Sequence, residues 1–394
     1  MTAAPISGTA APISGTAAPI SGTAAPISGT AEPGFEAVRA AFEGLFEDEV
    51  EQGAALSILI DGRPVCEMIG GWADKSRSRP WTDETIACVY STGKAATALI
   101  VAKAVEAGDL DYDAPVATWW PEFAAEGKGE VTLAEALSHQ AGLSGLSEPM
   151  DPALWLDREA IVERIAAATP IFEPKSASGY HPQTIGLIAD EILRRATGRS
   201  IRTALAEDFA GLSVYCGLSD AEIARAAYMP KPKAAADLGE MNAATRAAFV
   251  EKWSAPARVD RETWMRAELP ASNMHGDAKA FSRMLAIVAT GGLLEGERYL
   301  APETLAAATR ERVAGHDLVL PFELSWAAGF MRNTGGVYGP NPNTVGHSGF
   351  GGACAFADPD AALSFAFVPA RMGSALRGDP RSMSLIGAVY NALG

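Results

Sequence analysis

The chain has 394 residues, 48% of them hydrophobic and 20% charged, which is enough to bury one large core or two modest ones. Its formal net charge of -16 repels phosphate backbones and anionic lipid, and no Lys/Arg cluster offsets it locally, so nucleic acid and membrane surfaces are poor partners. Cys66, Cys88, Cys216 and Cys354 are scattered, with no Cys-x-x-Cys and no histidine at metal-ligand spacing, which predicts buried free thiols and no metal. No apolar run has signal-peptide or transmembrane length, so a cytoplasmic location is expected.

Residues 2–29 are four perfect copies of Thr-Ala-Ala-Pro-Ile-Ser-Gly. A proline in every copy forbids the coiled coil that a seven-residue period suggests. One bulky apolar residue per copy cannot offset the entropy of ordering the backbone, so residues 1–31 are expected to form a flexible tail. Then Phe35, Val38, Phe42, Leu45 and Phe46 recur at helical spacing, predicting an amphipathic helix to about Gly53. Residues 56–60 and 64–69 read as strands joined by an Asp61-Gly62 turn. Ile86 to Tyr90 delivers the chain to Ser91.

Ser91-Thr92-Gly93-Lys94 opens an alanine-rich run that stops at Gly108, a residue suited to a helix C-cap. The helix is apolar nearly all round as far as Ala102, so it belongs inside a domain. Residues three apart share a helix face, which brings the Lys94 amine within reach of the Ser91 hydroxyl. Burial disfavours the charged amine, and a lysine of lowered pKa can take a proton from a serine. A Ser-x-x-Lys arises by chance in a chain of this size. Here, however, Ser91 is the only serine with a lysine three residues on, and its helix is apolar rather than solvated.

Between about Asp111 and Met274 the periodic segments are helical, which predicts an all-helical lobe. Within it His139 reads as a satisfied structural histidine at the end of a short helix. Tyr180, in the loop Ser178-Gly179-Tyr180-His181-Pro182, suits a core plug and a site residue equally. A helix from Thr184 to Thr197 closes at Gly198. Helices over 277–290 and 302–313 follow, then strands over 325–332, 351–357 and 362–368, and a final helix over 382–393. The pattern predicts an α/β (α+β) sandwich with a mainly antiparallel sheet. Its α/β lobe is built from residues 32–110 and 275–394, and the helical lobe from 111–274.

At Ser91-Thr92-Gly93-Lys94, Gly179-Tyr180-His181 and Gly346-His347-Ser348-Gly349-Phe350-Gly351-Gly352, in this order, the chain resembles the serine β-lactamase and penicillin-binding protein superfamily. More narrowly, it resembles the class C β-lactamase-like esterases, the family VIII carboxylesterases. The segment Ser138 to Leu143 is similar to the family's His-Thr-Ser-Gly-Leu, and Phe356-Ala357-Asp358-Pro359 to its final hairpin. The resemblance runs from about Phe35 to the C-terminus and implies a β-lactamase/transpeptidase-like fold. It makes Ser91 the nucleophile and Lys94 with Tyr180 the proton-transfer pair; a lysine charge favours a Tyr180 phenolate, but the two titrate as a unit and the proton is assigned to neither. It places an oxyanion hole at the backbone N–H groups of Ser91 and Phe350, the latter on the strand after the His-Ser-Gly motif. His347, Ser348, Gly349 and His181 are then substrate-binding residues. The implied partner is a small ester, with no metal or cofactor, and the oligomeric state is left open.

Two departures bear on the substrate. Where β-lactamases carry Lys-Thr-Gly and Tyr-x-Asn, this chain has His347-Ser348-Gly349 and Tyr180-His181-Pro182. The lysine that attracts a β-lactam carboxylate and the asparagine that holds its amide are both missing. Hydrolysis of short-chain carboxylic esters is therefore expected ahead of drug hydrolysis. A β-lactamase, a D-amino-acid peptidase and an acyltransferase share the same acyl-enzyme and stand as alternatives. An α/β-hydrolase fails on spacing, since no serine lies in Gly-x-Ser-x-Gly. A non-catalytic ligand-binding relative has no need of serine, lysine and tyrosine together.

Overall fold

In the computed structural model, which describes residues 27–47, 50–232 and 234–394, nine strands form one antiparallel sheet. They are β1 (Ser28–Ala31), β2 (Gly53–Ile60), β3 (Arg63–Gly71), β4 (Val313–His316), β5 (Glu323–Trp326), β6 (Met331–Arg332), β7 (Val345–Ser348), β8 (Cys354–Asp358) and β9 (Leu363–Pro369). Their spatial order is β1-β3-β2-β9-β8-β7-β6-β5-β4. The late strand β9 inserts beside the early strand β2, with Phe365 opposite Ile58, so the two ends of the sequence make one lobe. The helices that position the site are α1 (Glu36–Glu47), α2 (Gly93–Glu106), α3 (Thr184–Thr197), α4 (Ala278–Ala289) and α5 (Pro380–Leu393).

Side chains alternate across a strand, and here the alternation sorts by size. Phe356, Phe365 and Phe367 pack in one cluster with Phe42 of α1 and Leu385 of α5. Ala355, Ala366 and Val368 pack on the other face with Leu285 of α4 and Leu99 of α2. The small residues let α4 approach closely, and the Ser57 and Ser282 hydroxyls meet at 2.7 Å across that face. Each fully buried phenylalanine contributes about 1.5 to 3 kcal/mol, so the aromatic face carries much of the sheet's stability. Helix α2 is buried at every residue from Gly93 to Ala102, as its uniformly apolar sequence predicts.

Several expectations are corrected. The sheet begins inside the fourth repeat, because β1 pairs with β3, Ser28 opposite Ile69 and Ala31 opposite Cys66. Gly29 makes this possible: a Cβ there would lie 2.1 Å from the Glu67 carbonyl oxygen. Residues 1–26 of the expected tail lie outside the described residues. Helix α1 is described as far as Glu47 and Gly53 already belongs to β2, and the strand expected over 325–332 splits into β5 and β6. The reversal between them is closed by the Ala327 N–H donating to the Phe330 carbonyl at 2.9 Å. The helical lobe is not purely helical, since Val214–Tyr215 pairs with His275–Gly276, which pairs with Ala87–Cys88 just before Ser91. The four cysteines are buried and free. Among the described residues no helix is long and apolar enough to cross a membrane.

Candidate active site

Ser91 sits in a single 3-10 turn, Tyr90–Thr92, that leads directly into α2. Tyr90, the residue before it, has φ 47°, a left-handed conformation that costs about 1 to 3 kcal/mol in a non-glycine residue and is concentrated at functional sites. The strain is held from both sides. The Val89 N–H donates to the Met274 carbonyl at 2.9 Å, and Gly349 packs so tightly that a Cβ on it would lie 2.1 Å from the Val89 carbonyl oxygen.

Lys94 comes up from the first turn of α2 with only 3% exposure. Its Nζ lies 3.0 Å from Ser91 Oγ, 3.1 Å from the Pro182 carbonyl oxygen and 2.8 Å from the Ala271 carbonyl oxygen. Burial pushes its pKa well below the ordinary lysine value. The Tyr180 hydroxyl donates to Ser91 Oγ at 2.6 Å, which sets this side chain against the candidate nucleophile. Burial raises the Tyr180 pKa, the Asp317 carboxylate adds to the rise, and the bond to Ser91 opposes it. Desolvation thus works against charge on both groups, against the ammonium at Lys94 and against the phenolate at Tyr180.

The Tyr180 loop is held by Asp317, which no sequence pattern singles out. This carboxylate is 1% exposed. It accepts from the Ser178 hydroxyl at 2.9 Å, the Tyr180 N–H at 2.9 Å, the Val319 and Leu320 N–H groups at 3.0 Å each, and Trp326 Nε1 at 3.3 Å. It lies in a loop between β4 and β5 and belongs to no motif, so only the fold reveals it. His139 is structural as expected: its Nδ1 accepts from the His181 N–H at 3.0 Å, and its ring packs 4.8 Å from that of Tyr180.

The other expected site residues divide. Ser91, Tyr180, His347, Ser348 and Phe350 line one cavity of about 270 Å³, closed mainly by apolar side chains such as Leu238, Phe249 and Leu320. His181 does not reach it. That ring is fully buried and spent on internal bonds, its Nε2 accepting from the Leu143 N–H at 3.0 Å. Gly349 serves the site by close packing rather than by substrate contact. Phe350 lies in the turn between β7 and β8, whereas His347 and Ser348 are themselves on β7. Among the described residues neither the Ser91 nor the Phe350 N–H has a protein acceptor, as an oxyanion hole requires. A wider cleft of about 1050 Å³ shares Tyr90, Gln183, Ser272 and Phe350 with this cavity.

The Beta-lactamase family model matches residues 38–388. The chain is 33% identical over 362 residues to the esterase/beta-lactamase LipL of Mycobacterium tuberculosis, covering 87% of this chain and 82% of that protein. A penicillin-binding protein homologue from Caulobacter crescentus superposes with TM-score 0.91 at 46% identity, over 93% of this chain and 99% of the other. A family VIII carboxylesterase superposes with TM-score 0.87 at 37% identity, again over 93% and 99%.

Proposed function

The chain belongs to the β-lactamase family and is a serine hydrolase of that fold, and from this premise we propose that it hydrolyses short-chain carboxylic esters through an acyl-enzyme on Ser91. The observation that carries the reading is the set of partners around Lys94. A neutral amine has two N–H donors and one lone pair, and the carbonyls of Pro182 and Ala271 take both donors. Nζ lies 3.0 Å from Ser91 Oγ, where the charged amine donates and the neutral amine would turn its lone pair to the hydroxyl.

Lys94 accepts the Ser91 proton as Oγ attacks the ester carbonyl. The Tyr180 hydroxyl, already donating to Oγ, keeps the nucleophile oriented while its proton leaves. Negative charge on the carbonyl oxygen falls to the Ser91 and Phe350 N–H groups. Collapse breaks the bond to the alkoxide, which receives the proton from Lys94 directly or through Tyr180. Water then attacks the acyl-enzyme, giving its proton to Lys94, and the acid is released as Ser91 is restored.

Esters are favoured over β-lactams on charge. His347 is buried, and that burial pushes its pKa down to about 3, so it offers no cation to a lactam carboxylate. The test is kcat/KM for p-nitrophenyl butyrate against nitrocefin and a penicillin under the same conditions. The ester should exceed the lactams by at least about tenfold, given that an unmatched polar group costs on the order of 1 to 3 kcal/mol. Comparable or higher lactam values would remove the esterase assignment.

A further inference from the structure

An acidic chain offers its cations many partners. Arg266, at the end of the short helix Arg261–Arg266, pairs with Asp220 at 2.5 Å, and Arg246 pairs with Glu251 at 3.1 Å. The wide cleft beside the Ser91 cavity is built differently. Lys231, Arg258 and Arg261 line it, and Asp260 is the one carboxylate among its lining residues. That carboxylate caps the short helix, accepting from the Thr263 N–H at 2.9 Å and the Thr263 hydroxyl at 2.6 Å. Among the described residues none of the three cations forms an ion pair, and only Arg261 makes a hydrogen bond, from Nη2 to the Ala227 carbonyl at 3.0 Å. Lys231 stands apart from the two arginines in sequence, and the fold brings all three to one cleft. The Arg261 charge also reaches Cys88 and His275, which line the same space. Burial raises the Cys88 pKa to about 12 and lowers the His275 pKa to about 4, and Arg261 acts on both as a nearby cation must, favouring the thiolate and opposing the imidazolium.

The cleft holds about 1050 Å³ against about 270 Å³ for the Ser91 cavity, and the two meet at shared residues. An ester attacked by Ser91 has two halves to place. The smaller space, with Leu238, Phe249 and Leu320 on its walls, suits a short apolar acyl chain, which leaves the wide cleft to the alcohol. Its wall at the junction is aromatic: the Tyr90 ring lies 6.2 Å from that of Trp264 and 6.1 Å from that of Phe350, centre to centre. We propose that this cleft is the leaving-group site and selects esters whose alcohol carries an anionic group at its far end, held by Lys231, Arg258 and Arg261. The selection rests on the esterase reading and narrows it to short acyl esters of anionic alcohols. None of the three cations lines the smaller cavity, so they offer nothing to a charge carried next to the scissile bond, as in a β-lactam.

Two substrate pairs test the charge and the side of the ester that bears it. In 4-(butyryloxy)benzoate against 4-(butyryloxy)benzamide the charge is on the alcohol, and in mono-4-nitrophenyl glutarate against 4-nitrophenyl butyrate it is on the acyl chain. Each pair is measured with wild type and with a triple variant carrying Lys231→Met, Arg258→Met and Arg261→Met, so that the intrinsic reactivities of the esters cancel. For the alcohol pair the anionic-to-neutral ratio of kcat/KM should be about threefold to thirtyfold higher in wild type than in the variant, and about 1 M NaCl should abolish the difference. The acyl pair should respond less. Equal ratios in the two proteins, a difference that persists in high salt, or a larger response in the acyl pair overturns the assignment and leaves the esterase reading standing. If no ester is turned over, the esterase reading has failed, and calorimetric binding of 4-hydroxybenzoate and 4-hydroxybenzamide decides for the cleft. Tighter binding of the anion by wild type than by the triple variant supports the anion site, and equal affinities overturn it.

Discussion

Lys94 and Arg381 are both cations sunk beneath the surface, 3% and 6% exposed, and the protein treats them in opposite ways. Arg381 is packed between carboxylates: its Nε and Nη2 donate to Asp379 at 2.9 Å each, and its Nη1 meets Glu51. Further donors reach the Gly351 carbonyl at 2.7 Å and the Arg371 carbonyl at 2.6 Å. Burial pulls the guanidinium pKa down, but Asp379 and Glu51 outweigh it and the net shift is upward. Among the described residues no carboxylate bonds to Lys94, and there burial acts unopposed. A buried charge persists where an opposite charge is buried with it and is discharged where none is. One site is thus an ion cluster bracing the turn beside Phe350, and the other an amine whose burial disfavours its charge, as the proposed proton transfer requires.

The contrast is broken most sharply at Lys94. Lys94→Met preserves the length of the side chain and should lower kcat/KM for p-nitrophenyl butyrate by about a hundredfold to ten-thousandfold, the range of a general base. The folded state should lose nothing, so Tm stays level or rises. A pH series sharpens this. The folded pKa of Lys94 lies below its ordinary value of 10.5, so between those two values the unfolded chain binds more protons and stability rises with pH. The stability of wild type relative to Lys94→Met should therefore climb with pH up to about 10.5 in denaturant titrations, by no more than about 1.4 kcal/mol per pH unit. A difference that is flat across that window would mean the amine stays charged in the fold.

Arg381→Met should do the reverse. It strands Glu51 and Asp379 without their cation, and breaking a buried pair in this way costs about 3 to 5 kcal/mol. Chemical denaturation should show that loss, while turnover per folded molecule falls less than in Lys94→Met, since Arg381 touches Gly351 and not the reacting atoms. A stable variant with no activity would exchange the two roles.

The smallest effect is expected at the sheet edge. Removing residues 2–26 should leave Tm and turnover unchanged. Removing residues 2–31 also takes away β1 and its pairing with β3, at a cost of about 1 to 3 kcal/mol in urea unfolding. Equal stability of the two truncations would mean that β1 adds nothing to the sheet.

Much of the fold could be read from local pattern. Helix α2 was legible because a uniformly apolar alanine-rich run has one home, and the β2–β3 hairpin because Asp61-Gly62 dictates its turn. Strand β1 was hidden because its stability comes from pairing across the sheet, which no repeat of Thr-Ala-Ala-Pro-Ile-Ser-Gly reveals. In the site, Ser91 and Lys94 were legible as neighbours on one helix face. Tyr180 became a site residue only through the resemblance and then the fold. Asp317 was invisible, because the donors that tie it to the site, the Ser178 hydroxyl and the Tyr180 N–H, come from a segment far away in sequence. His181 was misplaced for a related reason: adjacency to Tyr180 in sequence puts the next side chain on the opposite side of the loop, toward Leu143.

The central claim, that a neutral Lys94 activates Ser91, is tested most directly by the rate at which a fluorophosphonate probe modifies the protein as a function of pH. Peptide mass spectrometry should locate the adduct on Ser91. The wild-type rate should rise to a plateau governed by an ionisation well below 10.5, and Lys94→Met should react at least about a hundredfold more slowly at the plateau. An adduct on another serine, a wild-type rate still climbing through pH 10.5, or a Lys94→Met protein labelled as fast as wild type would contradict the account.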